Sequence, residues 1–187
     1  MAKRTDLRAY QESIASRLAA AQTGGGTPAL LGFEAGGTRW LIDLPAAGEV
    51  LPVPALSPVP LTQEWFAGLA SVHGELHSVV DFAVLCGGTP TPRDSATRLL
   101  RIGSRQGVNT VLLVARVYGL KRADALYAAE AEGLASVADW QGDAFTDTQG
   151  VRWLRLLPER LLADPLLLDA ALPADDIVPA STSSLLP

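Results

Sequence analysis

The sequence predicts an all-β protein, and three observations support this prediction. Short runs of apolar and β-branched residues recur along the chain, with glycine or proline turns between them, a pattern typical of barrels and sandwiches. Residues 60–82 hold two such runs around a break at His73-Gly74-Glu75, and the second run alternates between two faces, as a strand does. The composition, 48% hydrophobic and 19% charged over 187 residues, is that of a globular chain with one domain or two small lobes sharing a core.

The charge and cysteine content exclude several classes of partner. The net charge is -5 and no basic cluster is present, so nucleic acid is not an expected partner and nothing draws the chain to an anionic membrane.

A single cysteine, Cys86, cannot form a disulfide framework within one chain. No apolar run approaches the roughly 20 residues that span a bilayer, and the first ten residues lack the apolar region of a secretion signal. We therefore expect a cytoplasmic protein without direct membrane insertion.

The amino-terminal segment is predicted to be a helix. Apolar residues recur at spacings of three and four over residues 5–22, which indicates one apolar helical face. Gly24, Gly25 and Gly26 then end the helix. The pattern leaves two roles open: the helix packs on its own domain, or it docks a partner.

The next segments predict two hairpins with a connection between them. Residues 29–35 and 38–44 flank Gly36-Gly37, a pair that supplies the positive φ of a two-residue turn. Residues 45–51 are interpreted as a short connector. The proline-spaced residues 50–61 belong at a sheet edge or in a loop, because proline cannot donate to a ladder.

The second hairpin spans residues 60–82, and its first arm contains Gly68. A glycine inside a strand indicates a bulge or a close approach of another backbone. Residues 81–86 predict a brief helical turn, and the polar, proline-bearing residues 89–97 predict an exposed loop between lobes.

The second half of the chain predicts further strands. Residues 98–103 and 108–117 are rich in β-branched and apolar side chains, and residues 119–127 are expected to leave the sheet. The composition of residues 128–138 is also compatible with a helix. Residues 140–145 and 151–157 predict a last hairpin around 146–150, whose poor alternation leaves the register undetermined.

The carboxy-terminal part predicts a helix over residues 158–172, broken near Pro165, and then a loose tail over 173–187. The predicted organisation is therefore an amino-terminal helix with a glycine linker (1–28), one β domain of two lobes (29–172) and the tail.

Residues that could carry chemistry form no convincing constellation. His73, His77 and Asp81 are spaced by four, as on one face of a metal-binding helix, but Gly74 and the strand alternation argue against a helix there. No histidine lies where it would activate Cys86. The triple glycine lacks the lysine of a phosphate-binding loop. We expect no catalytic, cofactor or metal site; an enzyme on a β-barrel scaffold, working through scattered carboxylates, is the less favoured alternative.

The second hairpin also carries a family resemblance. Its residues follow the order of a known motif that reads roughly P…G…RG…PVIDL, and the matching residues here are Pro60, Gly68, Gly74, Val79, Val80, Asp81 and Phe82. This pattern resembles CheW-like domains, the adaptors that couple chemoreceptors to a histidine kinase. The resemblance extends from residue 30 to about residue 162.

The resemblance implies a fold and a function. It implies two intertwined five-stranded β-barrel lobes that share a hydrophobic seam, with strand and irregular structure over residues 128–138. It implies a non-enzymatic adaptor that holds the regulatory domain of a CheA-like kinase against a chemoreceptor tip. The arginine usual before the second glycine is His73 here, and this difference, together with the predicted amino-terminal helix, resembles the PilI-like branch that serves type IV pilus twitching motility. A ligand-binding or receptor-side module without a kinase is the alternative.

The resemblance also implies two contact surfaces. The kinase contact would lie on the edge of the first lobe and would comprise Pro60, Leu61, Gly68, Val72, His73 and Gly74. The receptor contact would lie between the lobes and would be lined by Val79, Val80 and Ile102. An ordinary core role competes for each apolar residue of these sets, and a purely conformational role competes for both glycines.

Overall fold

The computed structural model describes residues 29–103, 109–129 and 138–173. The predicted helix over 5–22, its glycine linker and the predicted tail beyond residue 173 lie outside the described residues. The described strands are β1 (Ala29–Ala35), β2 (Thr38–Asp43), β3 (Ala47–Pro52), β4 (Phe66–Val72), β5 (Glu75–Asp81), β6 (Arg98–Ile102), β7 (Thr110–Val114), β8 (Arg116–Arg122), β9 (Leu126–Ala129), β10 (Gln141–Asp147) and β11 (Arg152–Leu156). The described helices are α1 (Phe82–Leu85), α2 (Pro158–Leu162) and α3 (Pro165–Leu168), with a 3₁₀ turn at Ala123–Ala125.

The strands form two mixed sheets, which confirms the all-β class. One has six strands in the order β8-β1-β2-β11-β10-β9, and the other has five in the order β3-β6-β7-β5-β4. All neighbours are antiparallel except β2 with β11 and β5 with β7, which are parallel. The chain passes from the five-stranded to the six-stranded sheet between β7 and β8, where the Ala115 N–H donates to the Glu34 carbonyl oxygen (2.9 Å).

The expected five-stranded barrels are not what the structure contains. One sheet has six strands, and within the described ranges no ladder joins β3 to β4 or β8 to β9, so neither sheet closes into a barrel. The chain between β3 and β4 contains Pro54, Pro58 and Pro60, which lack the N–H that a closing ladder needs. The strands β8 and β9 pair with different partners, β1 and β10.

Both predicted amino-terminal hairpins are present, and local turn chemistry explains them. Gly36 and Gly37 connect β1 to β2 with φ values of 58° and 75°. His73 and Gly74 connect β4 to β5 with φ values of 52° and 84°; two successive positive φ values suit a two-residue hairpin turn. The ladder of this second hairpin shifts register between Phe66 and Gly68, which is the predicted bulge.

Three strand predictions were wrong at their boundaries. Residues 45–51 are not a connector, since β3 pairs with β6. Residues 108–117 do not form one strand, because β7 and β8 lie in different sheets. Residues 119–127 do not leave the sheet at residue 119, since β8 continues to Arg122.

The short helices agree with their predictions except at the carboxy-terminal end, where α3 ends at Leu168 and not at residue 172. The expected turn over residues 81–86 is α1, with Asp81 as its N-cap. The expected break near Pro165 separates α2 from α3. Residues 128 and 129 belong to β9 rather than to a helix.

The two sheets share one hydrophobic core. Leu31, Phe33, Trp40 and Ile42 pack from the six-stranded sheet against residues such as Leu100 from the five-stranded one. Each sheet also covers a smaller core on its other face: one includes Val79, Leu99 and Val111, and the other includes Leu30, Leu41 and Trp153. Burial on both faces explains why β7 is buried throughout and is apolar at every residue after Thr110.

Candidate partner-binding surface

The predicted kinase-contact residues follow the edge strand β4 and its two flanking segments, but they differ in exposure. Pro60 and Leu61 are exposed before the strand, and His73 and Gly74 are exposed at the hairpin turn. Gly68 and Val72 are buried, and Val72 packs in the small core of the five-stranded sheet. The predicted residues therefore lie along one edge of the sheet. Those at its two ends are exposed, and those in its middle are buried.

The middle of this edge is covered by the chain itself. The Leu69 N–H donates to the Ser57 carbonyl oxygen and the Ser57 N–H donates back to the Leu69 carbonyl oxygen, both at 2.8 Å. A Cβ on Gly68 would lie 2.5 Å from the Ser57 oxygen, far inside contact distance. Gly68 also has a φ of 121°, which disfavours any side chain. Gly68 is thus required by the close approach of residue 57, as a strand glycine predicts.

The segment before β4 is held by the carboxy-terminal part of the described chain. Thr62 and Ala171 form an antiparallel bridge. The Gln63 N–H donates to the Ala170 carbonyl oxygen (2.8 Å), and the Leu172 N–H donates to the Leu61 carbonyl oxygen (3.0 Å). Leu61 is 57% exposed and has a φ of 58°, a conformation that is rare for leucine.

The hairpin turn carries the charged groups of the edge. His73 Nε2 lies 2.9 Å from Glu49 Oε2, where the ring N–H can donate to the carboxylate. Arg101 Nη2 lies 3.9 Å from Glu75 Oε2. Glu49 is on β3 and His73 follows β4, so this side-chain contact links the two outer strands of the five-stranded sheet.

One exposed apolar residue beside the turn was missed from the sequence. Leu76 is 59% exposed, although the alternation of β5 places it on the same side as the buried Val80. The shared core simply ends before this end of the strand. Leu76 comes two residues after Gly74, and this closeness to the turn is the one sequence signal that would have indicated its exposure.

The predicted receptor-contact residues are all buried. Val79 and Ile102 are 0% exposed and Val80 is 2% exposed. Val80 and Ile102 meet in the core between the sheets, whereas Val79 faces the small core of the five-stranded sheet. The structure therefore brings two of the three together and points the third to the opposite face.

The residues considered for metal chemistry have structural partners. His77 is fully buried, and its Nδ1 lies 3.2 Å from the Glu75 carbonyl oxygen. Asp81 accepts hydrogen bonds from the Thr91 N–H (2.8 Å) and hydroxyl (2.7 Å) and caps α1. Across the described ranges, no three metal-binding side chains converge.

Two further findings bear on chemistry and location. Part of the Cys86 residue is exposed, yet burial around the thiol, with the nearby Asp81 carboxylate, raises the pKa of Cys86 to about 12. The thiol is therefore protonated near neutral pH and is a poor nucleophile. None of the helices in the part of the chain that the structure describes is long and apolar enough to cross a membrane.

Comparisons with known proteins identify a family and a related fold. The family model described as "CheW-like domain" matches residues 29–164. The crystal structure of the scaffolding protein TtCheW from Thermoanaerobacter tengcongensis is similar, with a TM-score of 0.58 and 13% sequence identity, over 70% of this chain and 88% of that one. At this identity the similarity is one of fold. No curated protein has a significant sequence match to this chain.

Proposed function

Because this chain belongs to the CheW-like domain family, we propose that it is a non-enzymatic adaptor that couples a chemoreceptor to a CheA-like histidine kinase in the bacterial cytoplasm. The observation that carries the proposal is the family match over residues 29–164, with the fold of a scaffolding protein. An adaptor needs a rigid scaffold and exposed contact residues. The exposed ends of the β4 edge supply such residues.

The proposed kinase contact uses these two exposed ends. Leu61 at one end and Leu76 at the other offer apolar side chains, 57% and 59% exposed, and His73 adds a polar group between them along the chain. Gly68 and Val72 are buried and hold β4 in place through its packing. In this proposal a strand of the kinase does not pair along the middle of β4, because Ser57 occupies that position.

The proposed receptor contact lies at the surface groove between the two lobes. Val80 and Ile102 belong to the core beneath this groove, so in this proposal they set the shape of the groove and do not touch the receptor. Val79 would act only through the packing of β5 on its other face. Substitutions at these positions are therefore expected to alter receptor binding together with stability.

Binding measurements on the full chain test the adaptor proposal. Titration calorimetry would use the purified protein with the regulatory domain of the CheA-like kinase from the same genome, and then with a soluble receptor tip. Saturable binding to both partners supports the proposal. Binding to the receptor tip alone would favour a receptor-side module, and binding to neither partner would overturn the adaptor proposal.

We further propose that the adaptor serves type IV pilus twitching motility. His73 in place of the family's usual arginine supports this assignment. Deletion of the gene should reduce the twitching zone on a surface and leave swimming in soft agar unchanged. Loss of swimming alone would place the protein in a flagellar system instead.

A further inference from the structure

The segment that follows α2 lies beyond the part of the chain matched by the family model, which ends at residue 164. It consists of α3 and residues 169–172. Asp164 caps α3 by accepting from the Leu166 N–H (2.9 Å). Leu167 and Ala170 pack against the shared core. These contacts fix the segment to the body of the protein.

Two main-chain hydrogen bonds join this segment to the residues just before β4. The Gln63 N–H donates to the Ala170 carbonyl oxygen (2.8 Å), and the Leu172 N–H donates to the Leu61 carbonyl oxygen (3.0 Å). The Gln63 side-chain amide adds a bond to the Ala171 carbonyl oxygen (3.0 Å), across 108 positions of sequence. Together with the Thr62–Ala171 bridge, these bonds form a short antiparallel clamp.

The residue inside this clamp has an unusual backbone. Leu61 has a φ of 58°, and a side chain with a Cβ is sterically disfavoured there. Such a conformation persists only where surrounding contacts impose it. Its side chain is nevertheless 57% exposed, so burial of the leucine is not what compensates for the strain.

We propose that residues 165–172 are a positioning segment that holds Leu61 outward as an apolar anchor for the kinase regulatory domain. The inference rests on the proposed function and adds the element that prepares its contact surface. A leucine whose backbone is already fixed loses less conformational freedom on binding. An apolar anchor of this kind seats in an apolar pocket of the partner.

The test removes the clamp without removing the anchor. Leu172→Pro deletes the N–H that bonds to Leu61, and Leu172→Ala is the matched control because it shortens the side chain and keeps the N–H. We expect Leu172→Pro to weaken binding to the kinase regulatory domain by about tenfold, with Leu172→Ala close to the unmodified protein. Amide hydrogen exchange at Gln63 should become faster in Leu172→Pro, which reports that the clamp has opened.

A double-mutant cycle separates positioning from general destabilisation. Leu61→Ala should weaken kinase binding at least as much as Leu172→Pro, and the double variant should bind like Leu61→Ala alone, because the segment acts through Leu61. If Leu172→Pro does not fold, Gln63→Ala removes only the amide contact with Ala171 and should give a smaller loss in the same direction.

The possible outcomes distinguish this inference from the proposed function. An opened clamp with unchanged kinase affinity, or additive losses in the double variant, would overturn the positioning role while the adaptor function stands. Absence of kinase binding by the unmodified protein would overturn the adaptor function and this inference with it.

Discussion

At the scale of single residues, the structure shows the surroundings of His73, which stands where the family usually has an arginine. The turn requires positive φ at residue 73, where histidine is more tolerated than most side chains. Its ring contacts the Glu49 carboxylate of the same chain. The family resemblance implies that this position faces a partner, and the structure adds a competing carboxylate within the protein.

His73→Arg is expected to strengthen binding to a kinase domain that pairs with the family's usual arginine, or to change which kinase domain is preferred. The arginine carries a permanent charge and two parallel donors, which histidine lacks. The gain should be at most about fivefold, the value of one exposed ion pair. Titration calorimetry measures it, and Glu49→Gln in the same background is the control, because it removes the competing carboxylate. Equal affinities for every kinase domain tested would remove His73 from the contact surface.

Gly68 and Gly74 form a matched pair that separates two reasons for a glycine. Both have positive φ, but a Cβ at Gly68 meets the Ser57 oxygen at 2.5 Å, whereas nothing lies within 4 Å of a Cβ at Gly74. Gly74→Ala should therefore cost about 1–2 kcal/mol in the free energy of unfolding, and Gly68→Ala should cost clearly more. Urea unfolding measures both.

The same geometry changes the expectation for a bulky residue at position 68. If the β4 edge is the kinase contact, as the resemblance implies, the sequence predicts that Gly68→Arg abolishes kinase binding with the fold intact. The contact with Ser57 now predicts a weakened fold as well. A cooperative melt equal to that of the unmodified protein would contradict this revised prediction.

At the scale of elements, local chemistry was predictable and long-range pairing was not. The β1–β2 and β4–β5 hairpins follow from their turn residues. The strand β3 was missed because residues 48–50 are all exposed and its partner β6 comes about fifty residues later. The break at Ala115 was missed because apolar residues stand both before Ala115 and after Arg116, and pairing with different sheets is what divides β7 from β8.

Asp81, which stands at the aspartate of the motif, has a structural role in this chain. Its carboxylate caps α1 and binds both the N–H and the hydroxyl of Thr91, so it joins the end of β5 to the following loop. Asp81→Asn should lower the free energy of unfolding by about 2 kcal/mol, because one buried acceptor becomes a donor. Asp164→Asn is the control: this exposed cap bonds one N–H of α3, and asparagine is as good a cap. Equal costs in urea unfolding would show that the Thr91 contact is unimportant.

At the scale of the whole molecule, the site depended on contacts that no local pattern contains. The motif residues of the β4–β5 hairpin were recognisable in the sequence. Gly68 indicated the close approach of another backbone but not that residue 57 supplies it, and the clamp from Ala170 and Leu172 had no sequence signal, because it joins residues about one hundred positions apart. The open, unequal sheets have the same origin, since closure depends on whether distant edges meet.

The shared core predicts that the two sheets unfold together. Phe82 follows β5 of the five-stranded sheet, and its ring contacts Trp40 at a centroid distance of 5.1 Å and Trp140 at 5.4 Å, on the side of the other sheet. Phe82→Ala should therefore remove about 3–5 kcal/mol from one cooperative transition. Tryptophan fluorescence, dominated by the six-stranded side, and far-ultraviolet circular dichroism, which reports both sheets, should give the same urea midpoint. The control Leu113→Ala acts in the small core of the five-stranded sheet and should shift that common midpoint too. Separate midpoints for the two probes in either variant would mean that the sheets are independent folding units, and the protein would then be two lobes rather than one rigid body.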